Sequence, residues 1–200
     1  EAKLEVSVIS PVFNEKENLK TFVDSVAKVM RSTGMSWELI IVDDGSDDGS
    51  ADAIKELINQ ENTRCLLLSK NYGQTTAIQA GFDNALGKYF VTLDSDLQND
   101  PKDIPALLDK LIKEELDLVV GWRKDRKDNY FLRNLPSSIA NKLIGNITGV
   151  KLHDYGCSLK AYNAKILKEI RLYGEMHRFI PAWMATKIPP SKIKEVVVTH

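Results

Sequence analysis

Short apolar runs alternate with longer amphipathic stretches over the first 120 residues. Val6-Ser7-Val8-Ile9-Ser10 reads as a strand ended by Pro11. From Asn14 or Glu15 onward, Leu19, Phe22, Val23, Val26, Val29 and Met30 recur at helical spacing and predict a helix with one apolar face. Leu39-Ile40-Ile41-Val42 is apolar on both faces, as a central parallel strand requires. Ser50 is the expected cap of a second helix with Ala53, Ile54, Leu57 and Ile58 inward. Cys65-Leu66-Leu67-Leu68 predicts a third strand, Thr75 to Leu86 a third helix closed by Gly87, and Tyr89 to Leu93 a fourth strand. Pro101 opens a helix to about Glu115, and Leu118-Val119-Val120 makes a fifth strand. This alternation predicts an α/β fold with a doubly wound, mostly parallel sheet flanked by helices. Such sheets bind ligands beyond the carboxyl ends of their strands.

The pattern changes after Trp122. Arg123 to Asp128 is a charged loop, and Pro136 then opens a helix whose stripe is Ile139, Leu143 and Ile147, with Gly149 beyond its end. Cys157 to Tyr162 reads as a strand, Ala164 to Ile170 as a short helix and Lys194 to Thr199 as a last strand. No internal repeat or low-complexity segment interrupts the chain. It stops at His200 straight after a strand, so the expectation is a single domain cut from a longer protein.

Composition removes several classes. A net charge of -1 gives no basic face for nucleic acid. The two cysteines, Cys65 and Cys157, lie far apart in apolar surroundings and read as reduced, buried thiols with no zinc spacing. The opening Glu1-Ala2-Lys3-Leu4-Glu5 is not a signal peptide, and no run reaches the roughly 18 apolar residues of a membrane span. The chain itself therefore reads as soluble.

Acidic residues collect where the strands end. The fourth strand runs into Asp94-Ser95-Asp96, and alternation along an extended segment would turn both carboxylates the same way. Two like charges held that close call for a cation, and a hard divalent ion with oxygen ligands, serving a phosphate, suits them. The second strand runs into Asp43-Asp44-Gly45-Ser46-Asp47-Asp48. Asp43 and Asp44 read as acceptors for the N–H and hydroxyl groups of a nucleoside, and Asp47 and Asp48 as helix-capping acids. A calcium loop starting at Asp44 fails, because its twelfth position is Lys55 where a bidentate Glu is needed. Neither G-x-G-x-x-G nor a P-loop occurs. An aspartyl-nucleophile phosphohydrolase also uses Asp-x-Asp, but at the end of its first strand and followed by Thr or Val; here the motif ends the fourth and Leu97 follows. A non-catalytic module that binds the same phosphate-bearing ligand is a third reading.

Ser10-Pro11-Val12-Phe13-Asn14-Glu15, Val42-Asp43-Asp44-Gly45-Ser46, Lys70-Asn71-Tyr72-Gly73, Ala80-Gly81 and Leu93-Asp94-Ser95-Asp96-Leu97-Gln98 follow one another in the order seen in inverting family-2 glycosyltransferases of the GT-A fold. The chain most resembles the branch of dolichyl-phosphate mannose synthase and bacterial undecaprenyl-phosphate glycosyltransferases. The likeness continues through Gly121-Trp122-Arg123, Asp154-Tyr155-Gly156-Cys157-Ser158-Leu159-Lys160 and His177-Arg178-Phe179-Ile180-Pro181. It implies a single GT-A catalytic domain, residues 1–121 forming the nucleotide-sugar half and 122–200 the acceptor half. It implies transfer from a UDP- or GDP-sugar, with inversion, to a polyprenyl phosphate, or alternatively to a saccharide hydroxyl. Pro11, Asn14, Glu15, Asp43 and Asp44 would line the nucleoside pocket. Asp94, Asp96 and Gln98 would hold Mg2+ or Mn2+ against the donor diphosphate. Arg123 and Arg178 are candidate phosphate clamps, ahead of Arg126 and Arg133. Asp154 would face the acceptor as general base, or steer a phosphate that needs little help to lose its proton. His153 and His177 read as packing residues beside the site, and Trp122 and Trp183 as core. The resemblance also places the full-length protein at the cytoplasmic face of a membrane, held by segments this chain lacks. Oligomeric state is not legible.

Overall fold

A computed structural model describes residues 4–58, 62–124, 145 and 148–199. Strands β1 (Val6–Val12), β2 (Trp37–Asp43), β3 (Thr63–Leu67) and β4 (Tyr89–Thr92) alternate with helices α1 (Lys16–Thr33), α2 (Ser50–Leu57) and α3 (Gln74–Asn84). A 3-10 turn Pro101–Asp103 leads into α4 (Ile104–Lys113), followed by β5 (Leu118–Trp122), β6 (Lys160–Asn163) and β7 (Ile193–Val197). The sheet order is β3-β2-β1-β4-β6-β5-β7. Six strands run parallel and β6 alone is antiparallel to both its neighbours. Every residue of β2 is buried, as expected of a strand covered on both faces.

The chain winds outward from β1 to β3, then returns to lay β4 on the other side of β1. Right-handed crossovers then place α3 on the face opposite α1 and α2, and the carboxyl ends of β1 and β4 flank the switch point. The helix on that face sits close to the sheet. A Cβ on Gly81 of α3 would lie 2.3 Å from Ile9 Cγ2, so only glycine fits. β6 comes from the second half of the chain yet lies between β4 and β5, so both halves share one sheet.

Several local expectations shift for identifiable reasons. α3 ends at Asn84 rather than at Gly87, because Asn84 Nδ2 turns back onto the Ala80 carbonyl and Ala85 is already extended. Gly87 serves a close approach instead: a Cβ there would meet Ser7 N at 2.6 Å. Gly49, not Ser50, occupies the cap of α2. The Ser50 hydroxyl is buried, donating to Asp48 and accepting the Glu15 N–H. Trp183 is 40% exposed and so is not a core residue. Cys65 is half-buried and its thiol is pushed up to about 12 by burial and the Asp43 charge; burial also raises Cys157. The stripe Ile139, Leu143 and Ile147, with Arg126 and Arg133, lies outside the described residues. Only the end of that element is described, where Gly149 is left-handed and its N–H donates to the Gly145 carbonyl.

Candidate active site

A cleft of about 320 Å3 opens at the switch point. Pro11, Val12, Phe13 and Glu15 line it from the end of β1, Asp44 from the end of β2, Asn71, Gly73 and Gln74 from the entry to α3, and Asp94, Ser95 and Asp96 from beyond β4. A larger hollow of about 520 Å3 lies beside Trp122, Lys151 and β7. Its one carboxylate, Glu195, is engaged with His153, so the chemistry concentrates in the smaller cleft.

The two acids beyond β4 reach the cleft by a route other than strand alternation. β4 stops at Thr92, and residues 95–99 form a bend in which Leu97 is left-handed (φ 62°). The Asp94 N–H points at Ser158 Oγ (3.4 Å), and its Oδ1 accepts from Gln74 Nε2 at 2.8 Å. Burial, and then the Asp96 carboxylate, push the Asp94 pKa up, against Lys160, Ser158 and Gln74. Asp96 accepts the backbone N–H of Gln98, whose side chain is exposed. Among the described residues no cluster of three or more His, Cys, Asp or Glu could cage a metal. Two crowded carboxylates at a cleft wall fit an ion that takes its remaining ligands from a phosphate and water.

The β2 end divides its acids by role. Both oxygens of Asp44 accept backbone N–H groups, from Tyr72 and Gly73 at 2.8 Å each, so Asp44 clamps the entry to α3 while lining the cleft. Each oxygen keeps a further lone pair toward the cleft that Asp44 lines. Asp43 accepts Ser46 N–H on Oδ2 (3.3 Å), while its buried Oδ1 has no partner. Asn14, left-handed at φ 56°, exchanges side-chain bonds with Asp47 at 2.9 and 3.0 Å. It fastens the β1 and β2 turns together and does not line the cleft. Glu15 lines the cleft but accepts from Asn18 Nδ2 at 2.7 Å.

Asp154 and Arg123, expected to act separately, are joined. Asp154 Oδ2 accepts Arg123 Nε–H at 2.7 Å and its backbone N–H at 3.4 Å, and Oδ1 accepts Nη2 at 3.0 Å and Gly156 N–H at 3.1 Å. The pair is nearly buried, with side-chain exposures of 8% and 11%. Burial opposes the Arg123 charge, but Asp154 outweighs it and the guanidinium is held above its ordinary range. Arg178 is exposed on the turn Met176–Phe179 and is not part of the cleft wall.

Four residues were not singled out from sequence. Gln74 holds Asp94 from the first turn of α3, and Asn99 accepts the Ser158 hydroxyl at 3.0 Å. Ser158 in turn lies under Asp94. Lys160 is fully buried on β6, opposite Thr92 and Val120, with its ammonium on the Cys157 carbonyl. Burial depresses its pKa, while the charges of Cys157, Asp94 and Asp154 oppose that. A lysine opening a short strand, directly before Ala161-Tyr162, was the available signal for it.

His177 Nδ1 lies 2.6 Å from Thr75 Oγ1, linking the 176–179 turn to the residue after Gln74. Burial pushes the His177 pKa down, with Glu175 opposing and Arg178 and Lys160 assisting. A histidine whose folded pKa lies below its unfolded value stabilises fully above the unfolded value, about 6.5, and loses that contribution as pH falls through the folded one. The urea midpoint of the wild type should therefore drop more between pH 7.5 and pH 5 than that of His177→Gln. Equal drops would show that His177 carries no such burden.

The comparisons agree with this geometry. Residues 7–171 match Glycosyl transferase family 2. The chain is 54% identical over 199 residues to a protein of Rhizobium johnstonii named dodecaprenyl-phosphate galacturonate synthase, covering 98% of this chain and 59% of that one. It is 40% identical over 178 residues to the undecaprenyl-phosphate 4-deoxy-4-formamido-L-arabinose transferase of Pectobacterium atrosepticum, covering 88% and 54%. The chain thus spans somewhat over half the length of these relatives. In three dimensions it resembles mannosyl-3-phosphoglycerate synthase from Rubrobacter xylanophilus (TM-score 0.80, 13% identity, 98% of this chain and 65% of that one). It also resembles glucosyl-3-phosphoglycerate synthase from Mycobacterium tuberculosis in complex with Mn2+, UDP and glucosyl-3-phosphoglycerate (TM-score 0.75, 17% identity, 98% and 70%). The fold is the expected GT-A one, and the chain belongs to glycosyl transferase family 2.

Proposed function

We propose that this chain is the catalytic domain of a polyprenyl-phosphate glycosyltransferase, moving a sugar with inversion from a uridine diphosphate donor to the lipid phosphate. The observation that carries the reading is the placement of Asp94 and Asp96 on one wall of a cleft formed by the ends of β1 and β2 and the entry to α3. The names of the relatives, both polyprenyl-phosphate enzymes, support the acceptor class.

Asp94 and Asp96, with Gln98 beside them, are the residues that would hold Mg2+ or Mn2+. When bound, the ion offsets the charge that builds on the departing diphosphate. Pro11 and Glu15 border the nucleoside. Among the described residues three buried side-chain atoms lack partners, Ser10 Oγ, Asp43 Oδ1 and Asn99 Nδ2, and all three lie toward the carboxyl-end edge of the sheet. Orphaned buried polar atoms call for an explanation, and a ligand bound at this edge supplies one. Asp43, next to the cleft-lining Asp44, has one buried oxygen without a partner, and its other accepts the Ser46 N–H while keeping a lone pair. The structural neighbour in complex with Mn2+ and UDP supports the uridine reading.

The engagement of Asp154 favours a phosphate nucleophile over a saccharide hydroxyl. A phosphate with a second pKa near ~6 is mostly ionised at neutral pH and needs no base. Asp154 then orients Arg123, whose guanidinium suits the acceptor phosphate. No helix among the described residues is long and apolar enough to cross a membrane. The lipid acceptor puts the reaction at a bilayer surface, on the cytoplasmic face where nucleotide sugars are supplied.

Calorimetry with UDP and GDP, each with and without Mn2+, tests the donor. UDP should bind in a metal-dependent way, and Asp43→Ala should weaken even metal-free UDP binding by roughly 1–3 kcal/mol. Tighter binding of GDP, or unchanged UDP binding in Asp43→Ala, would overturn the donor assignment.

A further inference from the structure

Two neighbouring pairs, Trp122-Arg123 at the end of β5 and His153-Asp154 in the segment after Gly149, meet twice. On the inner side Arg123 and Asp154 form the buried two-bond ion pair. On the outer side the Trp122 indole and His153 imidazole stack with centroids 4.0 Å apart and planes 13° from parallel. Successive side chains of extended backbone project to opposite sides, so the two contacts are back to back.

His153 is held at two further points. Its backbone N–H donates to Glu195 Oε1 at 2.8 Å, and its Nδ1 lies 2.7 Å from Oε2. Glu195 belongs to β7, in register with Val120 of β5, and the Val198 N–H donates to the Trp122 carbonyl. The imidazole remains 64% exposed. Its partner Glu195 is only 13% exposed. A ring fixed by its face, its Nδ1 and its backbone constrains the orientation of the next residue in the chain, Asp154.

We propose that His153 is a positioning residue: clamped between Trp122 and Glu195, it sets the direction of Asp154 and, through it, of Arg123 toward the acceptor phosphate. The proposal rests on the polyprenyl-phosphate reading of the site. The stack carries the positioning, and the Glu195 bond fixes the ring against β7.

The test uses His153→Ala and His153→Phe, the second keeping an aromatic face for Trp122. Transfer kinetics should show kcat/KM for the acceptor falling about 10- to 100-fold in His153→Ala. Mn2+-dependent UDP binding and melting temperature should stay near wild type, and His153→Phe should recover most of the loss. A loss of less than about twofold, or one that falls equally on UDP binding and is not rescued by Phe, would overturn the proposal. A second readout needs no acceptor. In 15N-arginine spectra, with Arg123 assigned by Arg123→Lys, the Nε–H signal should shift in His153→Ala, as the retained bond to Asp154 changes its geometry, and return in His153→Phe. A signal that stays in place in His153→Ala refutes the positioning role whatever the acceptor is. A wild type with a shifted Arg123 signal but no transfer to lipid phosphate would instead count against the functional reading alone.

Discussion

Replacing Asp94 or Asp96 by Asn should abolish metal-dependent binding of the nucleoside diphosphate, by at least ~100-fold or about 2.7 kcal/mol, and leave the fold intact. Among the described residues no third acid or imidazole joins the pair, so either substitution leaves a single carboxylate to hold the ion. The fold should not suffer, because burial and the neighbouring Asp96 both work against the Asp94 charge. An uncharged side chain there removes that strain and keeps an acceptor for Gln74. The measurement is UDP calorimetry with and without Mn2+, beside a thermal melt of each variant. Undiminished metal-dependent affinity in either variant would remove the two acids from the metal site.

Arg123→Ala should be the most destabilising single change at the site, costing about 3–5 kcal/mol, because it removes the cation that faces the buried Asp154 carboxylate with two direct bonds. Burial sets the size of the loss: the two side chains are 8% and 11% exposed and share two direct bonds. Urea unfolding of Arg123→Ala against wild type reads the effect. A loss below about 1 kcal/mol would mean that the pair behaves as an exposed one. Asp154→Asn retains an acceptor for the guanidinium and should fold more stably than Arg123→Ala.

The sequence displayed its elements where the physics is local. The apolar runs at Val6–Ile9 and Leu39–Val42 and the helical spacing from Leu19 to Met30 report burial directly, and each became a core element. Less legible were features set by distant neighbours. Nothing near residue 160 says that its strand will enter between β4 and β5 and run opposite to both. Gly87 resembled a helix cap in its local context, but its role is set by Ser7, eighty positions earlier.

The site shows the same division. Acids at strand ends could be read from the order of strands and turns, and Asp43, Asp44, Asp94 and Asp96 do gather at the carboxyl-end edge of the sheet. Their partners could not. Which carboxylate is consumed by the fold depends on the α3 entry meeting Asp44 and on β5 bringing Arg123 to Asp154. Asn14 stands outside the cleft wall for that reason, tied to Asp47, while Asp44 lines it and holds the α3 entry as well. Arg178, chosen on motif position, stands on an exposed turn whose fixed point is its neighbour His177.

The most direct test of the account is transfer of labelled sugar from a UDP-sugar series to a short-chain polyprenyl phosphate in detergent with Mn2+, run beside a panel of soluble saccharides. The expected product is a glycosylated lipid phosphate, lost in Asp94→Asn and lowered but not lost in Asp154→Asn, whose side chain still gives the Arg123 guanidinium an acceptor. Robust transfer to a saccharide hydroxyl with none to the lipid phosphate would contradict it.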